Sequence, residues 1–327
     1  MKKIFENTRK LCFGEKGQNY WFNGSMEYLM DCLKENTEDY NYWFFSNVSG
    51  DSLMQLYSRD IYKTAWCPSQ NVLDKNSLKR VFDACGYEFD HISGINDANR
   101  KDFLIKIRKY IDNNIPVLCR GGEKLLEYAC ICGYNDEELY YLICDTDVPQ
   151  AFANQFTDLI FVGSKKTCLP LSEIYKKTVL DIPSFILRPS TINYSFGRQA
   201  FIDWAESFMN ETFDNIPKEQ VNSWNVHGTY LCMMGTNGCV INFIKKALEM
   251  NPEMTFINEL IPLYEKQQAM FHDLAYEKGG LHDGFDIKPE IIKNKALMKP
   301  ISDKIIDAAN ICNDILDVFN KNKKSME

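Results

Sequence analysis

The sequence predicts an α+β domain over residues 1–190 followed by an all-α helical domain over residues 191–327. Three observations support this division. Two helical patterns lie within residues 76–113, and apolar runs of strand length recur between residues 115 and 187. From residue 195 onward nearly every segment has the three- and four-residue apolar spacing of a helix. A change from mixed to helical patterns is typical of an α+β unit joined to a helical bundle.

The elements of the first half follow from their apolar spacing. Helices are predicted over 25–33, 76–85 and 102–113, and Gly86 is a stop signal for the second of them. Strands are predicted over 115–119, 128–134, 139–144, 159–162 and 184–187, and the aromatic segment 42–48 is predicted to be a strand or another buried segment. The polar residues 135–138 predict a hairpin turn between the strands 128–134 and 139–144.

The second half contains four helical stripes. They span residues 200–208, 240–250, 256–274 and 301–319. Pro300 precedes the last stripe, which suits the first turn of a helix. We expect these helices to form a bundle of about 130 residues.

Composition excludes several classes of function. The chain of 327 residues has 37 Lys+Arg against 45 Asp+Glu, a net charge of −8, and both halves are mildly acidic. A broad nucleic-acid-binding surface is therefore not expected. No apolar run approaches the ~20 residues of a membrane helix, and no signal-peptide core follows the basic start. We expect a cytoplasmic protein whose twelve cysteines are mostly thiols, with no cofactor and no metal.

The most suggestive polar stretch is the segment that leads into the first helix. Ser25 lies where a catalytic nucleophile would sit if the helix began there, because free N–H groups and the helix dipole favour an anion at that end. Serine is also a favoured N-cap residue. From spacing alone both interpretations stay open, with the cap favoured.

A second candidate pair flanks the predicted hairpin. Glu127 lies at the start of its first strand and Asp145 at the end of its second, so antiparallel pairing would bring both to the same end of the ladder. Close carboxylates shift each other's pKa and can produce a general acid or base. Two solvated strand ends are the simpler interpretation.

These segments carry a resemblance to a known family. Residues 25–35, residues 39–50, the run Ile115-Pro116-Val117-Leu118-Cys119 and residues 127–135 together resemble the papain-like, C39-like peptidase fold. Within it the chain looks like the butirosin-biosynthesis-protein-H group, whose founding member is an acyltransferase. The resemblance implies a papain-like first domain and a cleft with a nucleophile, a base and an aspartate.

The departures from the family pattern concern catalysis. The family's cysteine position falls on Ser25, within a residue or two, and its histidine position falls on Glu127, whereas Asp145 keeps the aspartate. Gln18 is similar to the family's oxyanion-hole glutamine. A serine beside a glutamate lacks the near-neutral base that a thiolate–imidazole pair supplies. Cys12 and Cys32 are weaker alternative nucleophiles.

Five further residues are candidates for ligand binding. Aromatic residues line many ligand pockets, and a turn of Gly, Thr and Asn can present N–H groups to an anion. The candidates are Trp21, Asn23, Trp43, His227 and Asn237. For His227 and Asn237 a structural histidine and an ordinary inter-helix turn are the simpler interpretations.

Two hypotheses of function remain. The first is an enzyme of acyl or amide transfer that uses Ser25, Glu127 and Asp145, with Gln18 polarising the carbonyl. The second is a catalytically degenerate relative that binds its ligand in the same cleft. The expected partner is a small molecule, an acyl thioester or a peptide, with no nucleic acid and no membrane, and a homodimer is left open.

Overall fold

The computed structural model describes residues 2–11, 20–36, 38–59, 75–121, 125, 127–143, 146–152, 156–212, 214, 237–276 and 292–326. The chain divides into two compact units. Unit 1 comprises residues 1–49 and 70–171, and unit 2 comprises residues 50–69 and 172–327. An antiparallel sheet dominates unit 1 and helices dominate unit 2, so the coarse α+β prediction is confirmed. The predicted boundary at residue 190 stays a prediction.

Unit 1 is built on a sheet of seven described strands. They are β1 (Lys3–Ile4), β3 (Tyr87–Ile92), β4 (Val117–Arg120), β5 (Ala129–Tyr134), β6 (Leu139–Leu142), β7 (Gln150–Phe152) and β8 (Asp158–Lys165). The order is β3-β8-β4-β5-β6-β7, all antiparallel, and β1 also pairs with β5. Tyr134 pairs with Leu139 across the predicted 135–138 turn, which confirms the hairpin.

The described helices of unit 1 are α1 (Trp21–Cys32), α2 (Tyr42–Val48), α4 (Lys75–Cys85) and α5 (Arg100–Asp112). Of these, α1, α4 and α5 pack on the sheet, and α2 packs on α1 and α4. The apolar stripe of α5 buries Ile107 and Ile111, and α4 buries Leu78, Val81 and Phe82. The helices predicted over 76–85 and 102–113 are therefore confirmed to within two residues at each end.

Two predicted strands are helices instead. Residues 42–48 form α2, because the Asn41 side chain accepts a hydrogen bond from the Phe44 N–H at 3.0 Å and caps the helix. Residues 184–187 belong largely to α7 (Ile182–Ile186), where Pro183 occupies the first turn. Both segments are apolar on more than one side, and such short runs do not distinguish a buried helix from a strand.

Unit 2 is mostly helical. Its described elements are α3 (Asp51–Met54), β2 (Leu56–Ser58), α6 (Leu171–Leu180), α7, β9 (Tyr194–Phe196), α8 (Gly197–Met209), α9 (Asn237–Met250), α10 (Ile257–Tyr276) and α11 (Lys295–Met326). The helix α11 packs on α8 and α10, and β2 pairs with β9. Because α11 begins at Lys295, Pro300 lies inside the helix and not in its first turn.

A buried carboxylate ties three strands of unit 1 together. Asp158 on β8 lies 3.6 Å from His91 Nε2 on β3 and 3.5 Å from Arg120 Nε on β4, and Thr157 Oγ1 donates to it at 2.9 Å. Burial opposes ionisation, but the nearby imidazole of His91, the hydrogen bond from Thr157 and the charge of Arg120 outweigh it and lower the Asp158 pKa.

This cluster predicts a pH-dependent stability. Because the folded-state pKa of Asp158 is lowered, its contribution is complete above the unfolded value of about 3.9 and is lost as pH falls through the folded value. We expect Asp158→Asn to lower the free energy of unfolding by about 1.5–3 kcal/mol at pH 7 and by progressively less below about pH 4. Denaturant titrations across this range check it, with the exposed hairpin variant Glu137→Gln as control. A pH-independent difference would contradict it.

None of the helices in the described part of the chain combines the length and apolar character needed to cross a membrane.

Candidate functional site

The first helix begins four residues before Ser25. Tyr20 is its N-cap residue, and the Tyr20 N–H donates to the hydroxyl of Tyr42 at 2.8 Å. This hydrogen bond satisfies one of the free N–H groups at the start of α1 from another part of the chain. Ser25 is the fifth residue of the helix, so the N-cap interpretation of Ser25 is wrong.

Ser25 is fully buried against the sheet. Its side chain has no exposed surface, and the Cys130 thiol of β5 contacts its carbonyl oxygen, with an S···O distance of 3.9 Å. Burial raises the pKa of Cys130 well above its ordinary value, which outweighs the opposing hydrogen bond from Ser25. The surroundings of Ser25 therefore disfavour charge and contain a protonated thiol.

Glu127 lies two residues before the start of β5. It is 3% exposed, and the neighbouring Tyr128 is fully buried. The ring of Tyr128 packs edge-on against Phe22 of α1, with the centroids 5.2 Å apart. This aromatic contact joins α1 to the residue that directly precedes β5.

A carboxylate that the sequence reasoning did not single out lies on the same helix. Glu27 pairs with Arg9, with 3.4 Å between the guanidinium nitrogen and the carboxylate oxygen. Burial raises the Glu27 pKa more than Arg9 and a backbone hydrogen bond from Tyr42 lower it. In the sequence Glu27 looks like an ordinary first-turn acid, because its contact with the start of α2 is not visible there.

Three of the predicted ligand-binding residues lie on the two neighbouring helices α1 and α2. Trp21 and Trp43 are half-buried, and Asn23 is 1% exposed in the first turn of α1. Gly24 follows, and it packs so closely on the backbone of Leu11 that no larger residue fits. The first turn of α1 therefore contains the buried carboxamide of Asn23, and Ser25 follows at the start of the second turn.

The remaining predicted residues are not brought together by the described part of the chain. Gln18, Asp145 and His227 lie outside the described residues, as does Cys12. Asn237 is the first residue of α9, and its side chain lies outside them too. Ser25, Glu127, Trp21, Asn23 and Trp43 all belong to unit 1.

Cys32, the alternative nucleophile that lies among the described residues, is half-buried on α1. Burial raises the pKa of Cys32, so its thiolate is disfavoured. Among the side chains that the structure describes, no group of three histidine, cysteine or acidic residues is arranged to hold a metal ion.

Comparison with protein-family models gives no match for this chain. Comparison with curated proteins gives no match either.

Proposed function

We propose that the chain is a catalytically inactive papain-like protein of the cytoplasm, related to the butirosin-biosynthesis-protein-H group. In this proposal it binds a peptide, an acyl carrier or a small amide and does not transform it. The competing hypothesis is acyl or amide transfer at Ser25.

One observation carries the choice between the two. Ser25 is fully buried, and the Phe22–Tyr128 contact occupies the space between α1 and the start of β5. A nucleophile must reach the carbonyl carbon of its substrate, with reacting atoms about 3–3.5 Å apart. A serine without exposed surface does not meet this condition.

The chemistry of the neighbouring groups also favours binding. The polar residue in the first turn of α1 is Asn23, and a carboxamide is not a nucleophile. Beside Ser25 the described structure places the Cys130 thiol, whose raised pKa keeps it protonated near neutral pH, so it does not accept the hydroxyl proton. Serine catalysis needs an adjacent base to accept the hydroxyl proton, and a buried thiol does not supply one.

A covalent probe tests this proposal. We expect a fluorophosphonate, which modifies activated serines, to leave Ser25 unmodified after prolonged incubation with the folded protein. Intact-mass measurement and peptide mapping provide the readout, with a serine hydrolase as positive control. Acyl thioesters are the second probe, since they match the acyl-transfer hypothesis.

Two variants make the result interpretable. Among the cysteines that the structure describes, Cys168 is the exposed one, and an exposed thiol exchanges with thioesters without catalysis, so Cys168→Ala reduces that background. Ser25→Ala defines the signal without the hydroxyl. Modification of the wild type at residue 25 that is lost in Ser25→Ala would overturn the proposal and restore the enzyme hypothesis.

A further inference from the structure

The open edge of the sheet in unit 1 lies beside a groove. Among the described strands β3 pairs with β8 alone, so its other side is the edge of the sheet. A groove of about 700 Å³ lies there. Its lining residues come from α4, from β3 and the residue that follows it, and from Lys166, which directly follows β8.

The lining residues show that the groove follows the strand edge. Successive side chains of a strand point to opposite faces of the sheet. Glu88 and Asp90 belong to one face, Phe89 and His91 to the other, and all four line the groove. A depression on a single face would contact only one of these sets. The groove therefore runs along the edge, where β3 has backbone groups that no described strand pairs with.

The two faces that border the groove differ in charge. Phe89 stacks on Phe82 of α4, with ring centroids 4.6 Å apart, so α4 covers the face of Phe89 and His91. Three lysines lie on that side: Lys75, Lys79 and Lys166. Asp83 forms ion pairs with Lys79 and Lys166.

The other face carries acidic side chains. Glu88 and Asp90 are exposed there, and Lys106 of α5 pairs with Asp90 at 2.6 Å. The groove is thus bordered by excess positive charge toward α4 and by excess negative charge on the opposite face.

We propose that an extended peptide docks in this groove and adds to β3 as a new edge strand. Main-chain hydrogen bonds to a sheet edge supply affinity in this mode of recognition, and alternate side chains supply specificity. The side chains of an added strand alternate between the two faces. The partner is therefore a segment with acidic residues at every second position, which face the lysines of α4, and basic residues between them, which face Glu88.

This inference goes beyond the proposed function. The groove is formed by α4, by β3 and by Lys166 after β8, and it uses none of the residues around Ser25. Failure of peptide binding would leave the inactive-cleft proposal standing, and acyl transfer at Ser25 would leave the peptide groove standing.

The binding experiment uses three peptides and the full chain. The probe is a fluorescein-labelled octapeptide with a C-terminal amide in which glutamate and lysine alternate. Its control is a block peptide of the same composition, with all the glutamates before all the lysines. We expect the alternating peptide to bind at least about tenfold more tightly in fluorescence anisotropy, because only its side chains match the charges of both faces. A tenfold difference corresponds to about 1.4 kcal/mol. A poly-glutamate octapeptide measures attraction by charge alone. Equal affinity for the alternating and block peptides would overturn the proposal.

N-methylation of the probe tests the main-chain contacts. One alternate set of peptide N–H groups points toward β3, and the other set points away. Methylation of the first set is expected to reduce affinity at least tenfold, and methylation of the second is expected to leave it within about twofold. Equal effects of the two sets would exclude strand addition.

A charge-reversal variant tests the site. Lys79 has a 67% exposed side chain, so Lys79→Glu is expected to fold, which circular dichroism checks. We expect it to weaken binding of the alternating peptide about tenfold. The matched control is Lys304→Glu on α11, an exposed lysine in unit 2, with no change expected.

Hydrogen exchange locates the peptide independently of any substitution. The bound peptide is expected to slow exchange of the outward-facing amides of β3 and to leave β6 unchanged. If those amides are already protected in the free protein, the edge is covered without the peptide and the proposal fails.

Discussion

Phe22→Ala is expected to lower the free energy of unfolding of unit 1 by about 3–5 kcal/mol. The side chain is 1% exposed, and its ring packs on Tyr128 at 5.2 Å between centroids, so truncation removes buried apolar area and leaves a cavity between α1 and β5. Denaturant unfolding measures the loss, and amide exchange of β5 serves as the readout because β5 belongs to unit 1.

The control for this variant keeps most of the apolar volume. Phe22→Leu is expected to cost clearly less than Phe22→Ala, because it refills most of the cavity. In a double-mutant cycle with Tyr128→Leu we expect a coupling energy of about 0.5–1.5 kcal/mol from the aromatic pair. A loss below about 1 kcal/mol in Phe22→Ala would show that the ring does not fill this space.

Gly24→Ala has the second large expected effect, a loss of about 3 kcal/mol or more. A Cβ atom at this position would overlap the carbonyl oxygen of Leu11, which is backbone and cannot move aside by a change of rotamer. Overpacking in a filled interior costs about 1–3 kcal/mol, and a contact with backbone belongs at the upper end of that range. Thermal and denaturant unfolding measure the loss.

A second glycine provides the matched comparison. Gly94 has a φ of +74°, and nothing lies within 4 Å of the Cβ that alanine would add. Gly94→Ala therefore costs only the backbone strain of a left-handed conformation, about 1–2 kcal/mol. If Gly24→Ala were no more destabilising than Gly94→Ala, then Leu11 would not pack on α1 as described.

Local patterns predicted the parts of the fold that local forces decide. The hairpin at 135–138 was predicted from its run of polar residues, and in the structure the Asn135 side chain accepts hydrogen bonds from the Glu137 and Glu138 N–H groups, which is a property of the turn sequence itself. The helices α4 and α5 were predicted because each has one apolar stripe. In each case the pattern that predicts the element lies within a few residues along the chain.

Long-range contacts decided what the sequence did not predict. The start of α1 depends on the hydrogen bond from Tyr20 to Tyr42, twenty-two residues away, so Ser25 was expected at the beginning of a helix that starts earlier. The segment 42–48 contained a visible cap in Asn41, but its aromatic composition favoured a strand. The burial of Ser25 follows from the packing of α1 on β5, which no spacing reveals.

The ligand-binding role of Trp21, Asn23 and Trp43 stays a prediction. The structure places these three residues on the adjacent helices α1 and α2, whose segments follow one another along the chain. The groove along β3 was not foreseen, since it depends on which strand stands at the edge of the sheet. Strand order is set by the pairing of β8 with both β3 and β4, which joins residues far apart along the chain, such as Tyr87 and Lys165.

The pairing of β2 with β9 affects how this chain can be synthesised and divided. Residues 50–69 lie between the two segments of unit 1 along the chain, but they belong to unit 2. During translation, β2 therefore leaves the ribosome long before β9 (Tyr194–Phe196), and its backbone groups lack this partner until the whole second segment of unit 1 has been added. A shortened chain that ends before residue 194 would carry a β2 permanently without this partner. Because the segments of the two units alternate along the chain, no single cut of the chain separates unit 1 from unit 2. If the chain were divided between β2 and β9, both fragments would have to be co-expressed for unit 2 to assemble.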